Sequence, residues 1–385
     1  MKCILCIVHI NNINKFGLFI CIIYILVKLF QIQIKNEIAL MENYYNLCIQ
    51  GNSLTDNNFI KILQPNISIV STIYNKQDYI PRFLRSIQNQ NFTNIEIILV
   101  DDCSTDESVN VVKKYQMEDQ RIFLIQNKIN KGTLISRNIG IFLSIGIYIM
   151  IPDIDDIYSS NILNDSFLIA ENYDYDIIRF KTYLGNRHIF MNKQIKHLKS
   201  EPIYQPDLSN YIFYGLGHLE IFDPTINNKL IKREILIKTL NSIEEFYLNK
   251  NMIFYEDTLI NIMLHKKAKS FYFLNKIGYY YICTPHSSTK EFVKNNLLSE
   301  RFLYSLFLFL QFIYFQTKNT KFEKSVANEF INKEMNLIFS LIHKVSGNQN
   351  FYINIINLYI NDQFIISSTK TKLIEIKKIL SHFIK

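Results

Sequence analysis

At 385 residues the chain is long enough for one large domain or two, with ample core. Hydrophobic residues make up 48% and charged residues 20%, which excludes a disordered chain. The net charge of +8 is modest and spread out, and no basic block is long enough to make nucleic acid the main partner.

Three of the six cysteines lie within the first 21 residues, and Cys3-x-x-Cys6 lacks a second pair. This pattern supports neither a structural zinc site nor a disulfide framework. Residues 16–30 are almost wholly apolar, broken by Lys28, and fall short of the ~20 residues that span a bilayer comfortably. Three readings fit them: an uncleaved signal-anchor, a signal peptide, or a buried or interfacial helix. The first two imply membrane association through residues 16–30 and the secretory pathway (endoplasmic reticulum or Golgi), and the third leaves a cytoplasmic location. The sequons at Asn66, Asn91 and Asn164 are compatible with a lumen, although asparagine is abundant throughout. The predicted organisation is a hydrophobic segment (residues 1–35), a polar linker (36–64), a globular domain (65–290) and a helical C-terminal region (291–385).

From Ile67 the chain alternates. Ile67 to Thr72 predicts a strand, and Tyr74-Asn75-Lys76 a turn. Asp78 to Asn89 predicts a helix capped by Asp78, with Ile80, Phe83, Leu84 and Ile87 on one face. Ile95 to Val100 is a second strand, ending in Asp101-Asp102. Ser104 or Thr105 is placed to cap the next helix, which runs to about Met117. A strand at Arg121 to Gln126 and a helix at Thr133 to Leu143 follow. The apolar run Ile145 to Ile151 then reads as a buried strand ending in Asp153, Asp155 and Asp156. This alternation predicts a parallel sheet with helices on both faces. No GxGxxG follows the first strand, so the dinucleotide fingerprint is absent.

Three carboxylates within four residues repel one another, so they either hold a cation such as Mg²⁺ or Mn²⁺ or open a helix whose dipole favours acids. An acid at one strand end can accept from a ribose or a base N–H. Acids at another can hold a divalent cation against a pyrophosphate. Together they describe a nucleoside-diphosphate site without a glycine loop.

The segments SIVSTIYNKQDYIPRFLRSIQNQNFTNIEIILVDDCSTDES, NKGTLISRNIG and GIYIMIPDIDDIY occur in order and at characteristic spacing. They resemble the inverting glycosyltransferases of family 2, whose fold is GT-A: α/β, Rossmann-like, a mixed sheet flanked by helices. The likeness is strong over residues 65–180. It continues more loosely to about residue 290 through NNKLIKREIL, FYEDTLIN and GYYYICTPHSST. The resemblance implies that Thr72 and Tyr74 line the nucleotide pocket, that Asp102 reads the base, and that Arg137 lies where the donor is met. Asp153 and Asp155 correspond to the DxD motif that binds Mn²⁺ or Mg²⁺, and Asp156 neighbours the donor sugar. Asp257 corresponds to the general base, with Glu256 beside it to orient it or raise its pKa; the bare alternative is an acidic helix cap. His286 corresponds to a residue closing over the diphosphate. Cys283, however, stands near a position often basic in the family, and His218 is a weaker acceptor-side candidate.

The implied activity is a metal-dependent, inverting transfer of a sugar from a nucleotide-sugar donor, UDP-linked by preference, to a glycan, glycoprotein or lipid-linked hydroxyl acceptor. The absence of tryptophan removes the QxxRW motif of processive synthases, so a single transfer is expected. A catalytically silent nucleotide- or glycan-binding member of the fold is the alternative. After Asn295 the pattern is helical. The dense apolar run Leu303 to Phe315 is expected to pack on the catalytic domain, with an interfacial membrane helix as the alternative, and amphipathic helices follow at residues 326–345 and 351–385.

Overall fold

The computed structural model describes residues 65–184, 202–205, 225–247, 254–282, 296–317, 349–361 and 367–382. The chain divides into two units, Met1–Lys61 and Ile62–Lys385, and all described residues belong to the second. The apolar segment at residues 16–30, the linker, His218, Cys283, His286 and the predicted helix at 326–345 lie outside the described residues.

The first half follows the predicted alternation. Strand β1 (Ile67–Ile73) leads to helix α1 (Ile80–Gln88), β2 (Ile95–Asp101) to α2 (Ser108–Glu118), and β3 (Ile122–Gln126) to α3 (Thr133–Leu143) and β4 (Tyr148–Met150). Strands β1 to β4 are mutually parallel in the order β3-β2-β1-β4. The chain builds outward from β1 to β3, then returns across β1 to lay down β4. That reversal opens a crevice beyond the carboxyl ends of β1 and β4, where open α/β sheets place their ligands.

The second half converts the sheet from parallel to mixed. It comprises β5 (Ile157–Tyr158), α4 (Ile162–Tyr173), β6 (Ile177–Leu184), β7 (Ile203–Tyr204), β8 (Lys229–Lys232), α5 (Arg233–Tyr247), α6 (Glu256–Lys267) and β9 (Ser270–Tyr281). β8 runs antiparallel to both β4 and β6, and β9 runs parallel to β6. Among the described residues three further helices follow: α7 (Asn296–Thr317), α8 (Gln349–Ile360) and α9 (Ser367–His382).

The central strands are near-continuous apolar runs because both faces of the sheet are covered. In β2 the alternation sorts side chains precisely by face: Ile97 and Leu99 join the core under α1, α2 and α4, whereas Ile98 and Val100 join the core under α3 and α5 to α9. Helix α3 approaches the sheet so closely that a Cβ at Gly140 would lie 2.5 Å from Val70 Cγ1. Glu96 is the acidic exception in β2. It is buried and accepts from Ser68 Oγ at 2.5 Å and from the Ile145 amide at 2.7 Å, which pins the entry to β4.

Three local expectations are corrected. Asp78 does not cap α1; Tyr79 precedes the helix without a side-chain cap, and Pro81 opens the first turn. Ser104 and Thr105 do not cap α2. They bond Asn75 instead, and Asp106 Oδ1 accepts the Ser108 amide at 3.0 Å. The apolar run before Asp153 is not buried throughout: Ile145 and Ile147 are exposed, and the strand begins only at Tyr148. By contrast, α7 packs as expected, with Leu306, Phe307, Phe309 and Phe312 in the core. Among the described residues no helix is long and apolar enough to cross a membrane.

Candidate active site

Four segments converge at the carboxyl ends of β1, β2 and β4. Beyond β1, Tyr74 is half exposed, and Asn75 takes a left-handed φ of 52° that turns Lys76 back towards the sheet. Ser71 Oγ donates to the Pro152 carbonyl at 2.9 Å, tying β1 to the start of the acidic turn. Thr72 sits in register with Val100, one residue before the acidic end of β2.

Asp102 is buried, and its carboxylate organises the loop between β3 and α3. Oδ1 accepts from the Lys131 amide (2.8 Å) and Asn127 Nδ2 (3.0 Å), and Oδ2 accepts from the Gly132 amide (2.8 Å). Gly132 takes φ 85°, a conformation that favours glycine, as it opens α3. A carboxylate offers about four acceptor sites. Three are occupied, which leaves one acceptor position on Oδ2. Neighbouring Asp101 carries a buried Oδ1 with no hydrogen-bond partner among the described residues.

The acidic turn after β4 is held from three sides. Asp153 Oδ2 accepts from Asn227 Nδ2 at 3.2 Å, and Oδ1 lies 3.5 Å from Arg137 Nη2. Asp155 Oδ2 is paired with Lys76 Nζ at 2.8 Å, and its carbonyl accepts from Arg82 Nη2 at 2.6 Å. Asp156 points inward. It is 1% exposed and accepts from Tyr279 Oη (2.5 Å) and the Ile282 amide (2.7 Å). Both of its oxygens are thus used within the protein, and it anchors the turn to the end of β9. Burial, reinforced by the charge of Asp153, pushes the Asp156 carboxyl up to about 7. Tyr279 Oη also accepts the Asp153 amide at 3.2 Å, so one hydroxyl links two of the three acids.

Arg137 connects this turn to the second half of the chain. It projects from α3, is 5% exposed, and donates through Nη1 to Asp257 Oδ1 at 2.7 Å while Nη2 faces Asp153. Arg137, expected by the donor, bridges the acidic turn after β4 and the acid pair of α6. Glu256 and Asp257 stand in the first turn of α6, but neither caps it. The residue before the helix is Tyr255, held at φ 64° with its ring stacked on Phe309 of α7 at 5.1 Å. Burial first, and then the adjacent Asp257, raise the Glu256 carboxyl to about 8, against the opposing pull of Arg137. Burial and Asp257 thus favour the neutral form of Glu256. Desolvation by its neighbours raises Asp153 although its side chain is 41% exposed, opposed by Arg137 and assisted by Asp257 and Asp155.

Several of these residues were not singled out from the sequence as site residues: Lys76, Arg82, Asn227 and Tyr279. The one signal that pointed to them was the surplus of acids, which required partners that spacing alone does not identify.

The donor set fits a divalent cation. Asp153 and Asp155 supply hard carboxylate oxygens from one turn, close enough for the charge of Asp155 to raise Asp153. Among the described residues no group of three or more histidines, cysteines or acids is placed to hold a metal ion, so any protein ligands here number two. Two carboxylates facing an open crevice suit Mg²⁺ or Mn²⁺, which complete their coordination with water and substrate phosphates.

Residues 68–257 match the family described as Glycosyl transferase family 2. Glycosyltransferase GlyG of Streptococcus pneumoniae is 30% identical over 177 residues, covering 44% of this chain and 57% of that protein. An uncharacterised glycosyltransferase of Methanocaldococcus jannaschii is 27% identical over 270 residues, covering 64% and 88%. The first match thus spans little more than half of its relative. Among solved structures, Staphylococcus aureus TarS (residues 1–349, in complex with UDP) superposes with a TM-score of 0.59 at 21% identity, covering 83% of this chain and 89% of that one. The same protein is also known in complex with UDP-GlcNAc. With the GT-A sheet, the ordered motifs and these likenesses together, the chain belongs to family 2 of the glycosyltransferases.

Proposed function

We propose that this chain transfers a sugar from a nucleoside-diphosphate donor, UDP-linked by preference, to a hydroxyl acceptor, in single transfers and with inversion at the anomeric carbon. The observation that carries the reading is the bridge Asp153–Arg137–Asp257. It sets the acidic turn at the sheet's switch point beside a carboxylate on a separate helix. Inversion needs a base on the side opposite the leaving group, and Asp257 comes from a different element than the DxD acids. The UDP and UDP-GlcNAc complexes of TarS support a uridine donor.

In this reading the acceptor oxygen forms a bond to the anomeric carbon as Asp257 takes its proton. The bond from that carbon to the diphosphate oxygen breaks, and the nucleoside diphosphate leaves with the electron pair. Arg137 orients Asp257 and supplies its countercharge. Glu256, neutral beside it, adds no second negative charge where the acceptor must approach. Asp153 and Asp155 would hold Mn²⁺ or Mg²⁺, which offsets the charge that develops on the leaving diphosphate. Thr72, Tyr74 and the free acceptor site of Asp102 face the nucleoside, and residues 16–30 provide membrane association.

The test is a panel of UDP-, GDP- and other nucleotide-sugars, assayed for binding and slow hydrolysis with Mn²⁺ and then with chelator. Asp155→Ala is expected to abolish Mn²⁺-dependent donor binding. Asp257→Asn is expected to keep donor binding while turnover falls about 10²-fold or more. Donor binding indifferent to both chelator and Asp155→Ala would refute the metal reading. Full turnover by Asp257→Asn would refute the base.

A further inference from the structure

The Lys76–Asp155 pair is not required by the fold of the acidic turn, which Asn227, Tyr279 and the Ile282 amide already anchor. It brings a cation from a different loop onto the second acid of the DxD pair. The loop is firmly set: the Lys76 amide donates to Ser108 Oγ at 2.9 Å, the Asn75 amide donates to Ser104 Oγ at 3.0 Å, and Asn75 Oδ1 accepts the Thr105 amide at 2.8 Å. The ammonium lies 2.8 Å from Asp155 Oδ2, with about a fifth of either side chain exposed. It also sits over the Tyr79 ring at 5.2 Å, and the Arg82 guanidinium shares that ring at 5.8 Å while donating to the Asp155 carbonyl. Asp155 therefore has two cations on its α1 side.

We infer that Lys76 competes with the divalent cation for Asp155, and that the donor diphosphate relieves the competition by accepting the displaced ammonium. This rests on the metal reading proposed above. A divalent cation arriving at Asp155 meets like charge from Lys76 at close range, so its affinity for the protein alone is reduced. The ammonium ends a flexible four-carbon stem and can move without disturbing the anchored backbone. A diphosphate beside the turn supplies acceptor oxygens for it, so metal and donor bind cooperatively, each raising the other's affinity by the same factor.

The test is Mn²⁺ titration of the full chain by electron paramagnetic resonance or calorimetry, with and without UDP, for wild type and for Lys76→Met. Thermal unfolding and UDP binding are measured in parallel, with Lys76→Gln as a second variant should the first fold poorly. Without UDP, either variant is expected to bind Mn²⁺ about tenfold more tightly than wild type, and UDP is expected to raise Mn²⁺ affinity less in the variants. Equal Mn²⁺ affinities in wild type and variants would overturn the competition while leaving the metal reading intact. UDP binding with no Mn²⁺ uptake by any form would overturn the metal reading, and this inference with it.

Discussion

Replacing Arg137 with methionine keeps most of the side-chain volume and removes the charge between Asp153 and Asp257. The arginine is 5% exposed, 2.7 Å from one carboxylate and 3.5 Å from the other. At an effective dielectric of about 20, a unit pair at roughly 4 Å is worth about 4 kcal/mol, and burying the guanidinium costs several kcal/mol in return. Breaking such a pair and leaving its acids uncompensated typically costs about 3–5 kcal/mol. The Asp153 side chain is 41% exposed, so solvent screens its share, and about 3 kcal/mol is the expectation. For a unit of this size that corresponds to a fall in melting temperature of roughly 4 °C. The loss must also depend on pH. With the cation gone, protonation of the acids relieves their repulsion, so the variant is least impaired at low pH and worsens as pH rises. Differential scanning calorimetry at pH 5.5 and 8.5 reads both effects. A fall under about 2 °C, or one equal at the two pH values, would refute the reasoning.

Glu256 provides an independent titration. Its folded pKa of about 8 exceeds the unfolded value, so the stability it contributes is fully present below about 4.5 and is lost as pH rises through 8. Wild type should therefore lose stability relative to Glu256→Gln between pH 5 and 9 in denaturant titrations; parallel pH profiles would dismiss the assignment. Phe309→Ala should cost about 3–5 kcal/mol in thermal unfolding, because it empties a fully buried site and unstacks Tyr255. A neutral result would remove α7 from the support of α6.

The parallel half was legible because its signals are local. Apolar runs such as Ile97 to Val100 mark strands covered on both faces, and the face of Ile80, Phe83, Leu84 and Ile87 marks a helix at its own period. Caps were less legible, because Ser104, Thr105 and Asp106 have two sets of amides within reach, and tertiary contact with the Asn75 turn decided between them. The antiparallel strand β8, inserted between β4 and β6, has only four residues, one of them the buried Lys229. A pattern so short and so polar carries no periodicity. The acids of the site were visible as types at strand ends, but their partners were not. Tyr279 lies 126 residues from the Asp153 amide it accepts, and nothing in local spacing encodes that pairing.

The bridge explains how two unrelated stretches of chain act as one site. Asp153 follows a parallel strand, whereas Asp257 opens a helix in the antiparallel half, and each could drift with its own element. Arg137 is buried on α3, a helix seated against β1 through the close approach at Gly140, so it cannot follow either acid outward. Its bonds therefore set the spacing of both acids from a common, rigid point. On the far side, Tyr255 keeps the left-handed conformation that starts α6 because Phe302 and Phe309 hold its ring. A non-glycine residue in that region costs on the order of 1–3 kcal/mol and persists only where packing over-determines it. The C-terminal helix α7, which carries no acid of the site, thus helps to fix where Asp257 stands. Chemistry displayed at the sheet edge is supported by apolar packing from beyond residue 296, and severing either support should be felt first at Asp257.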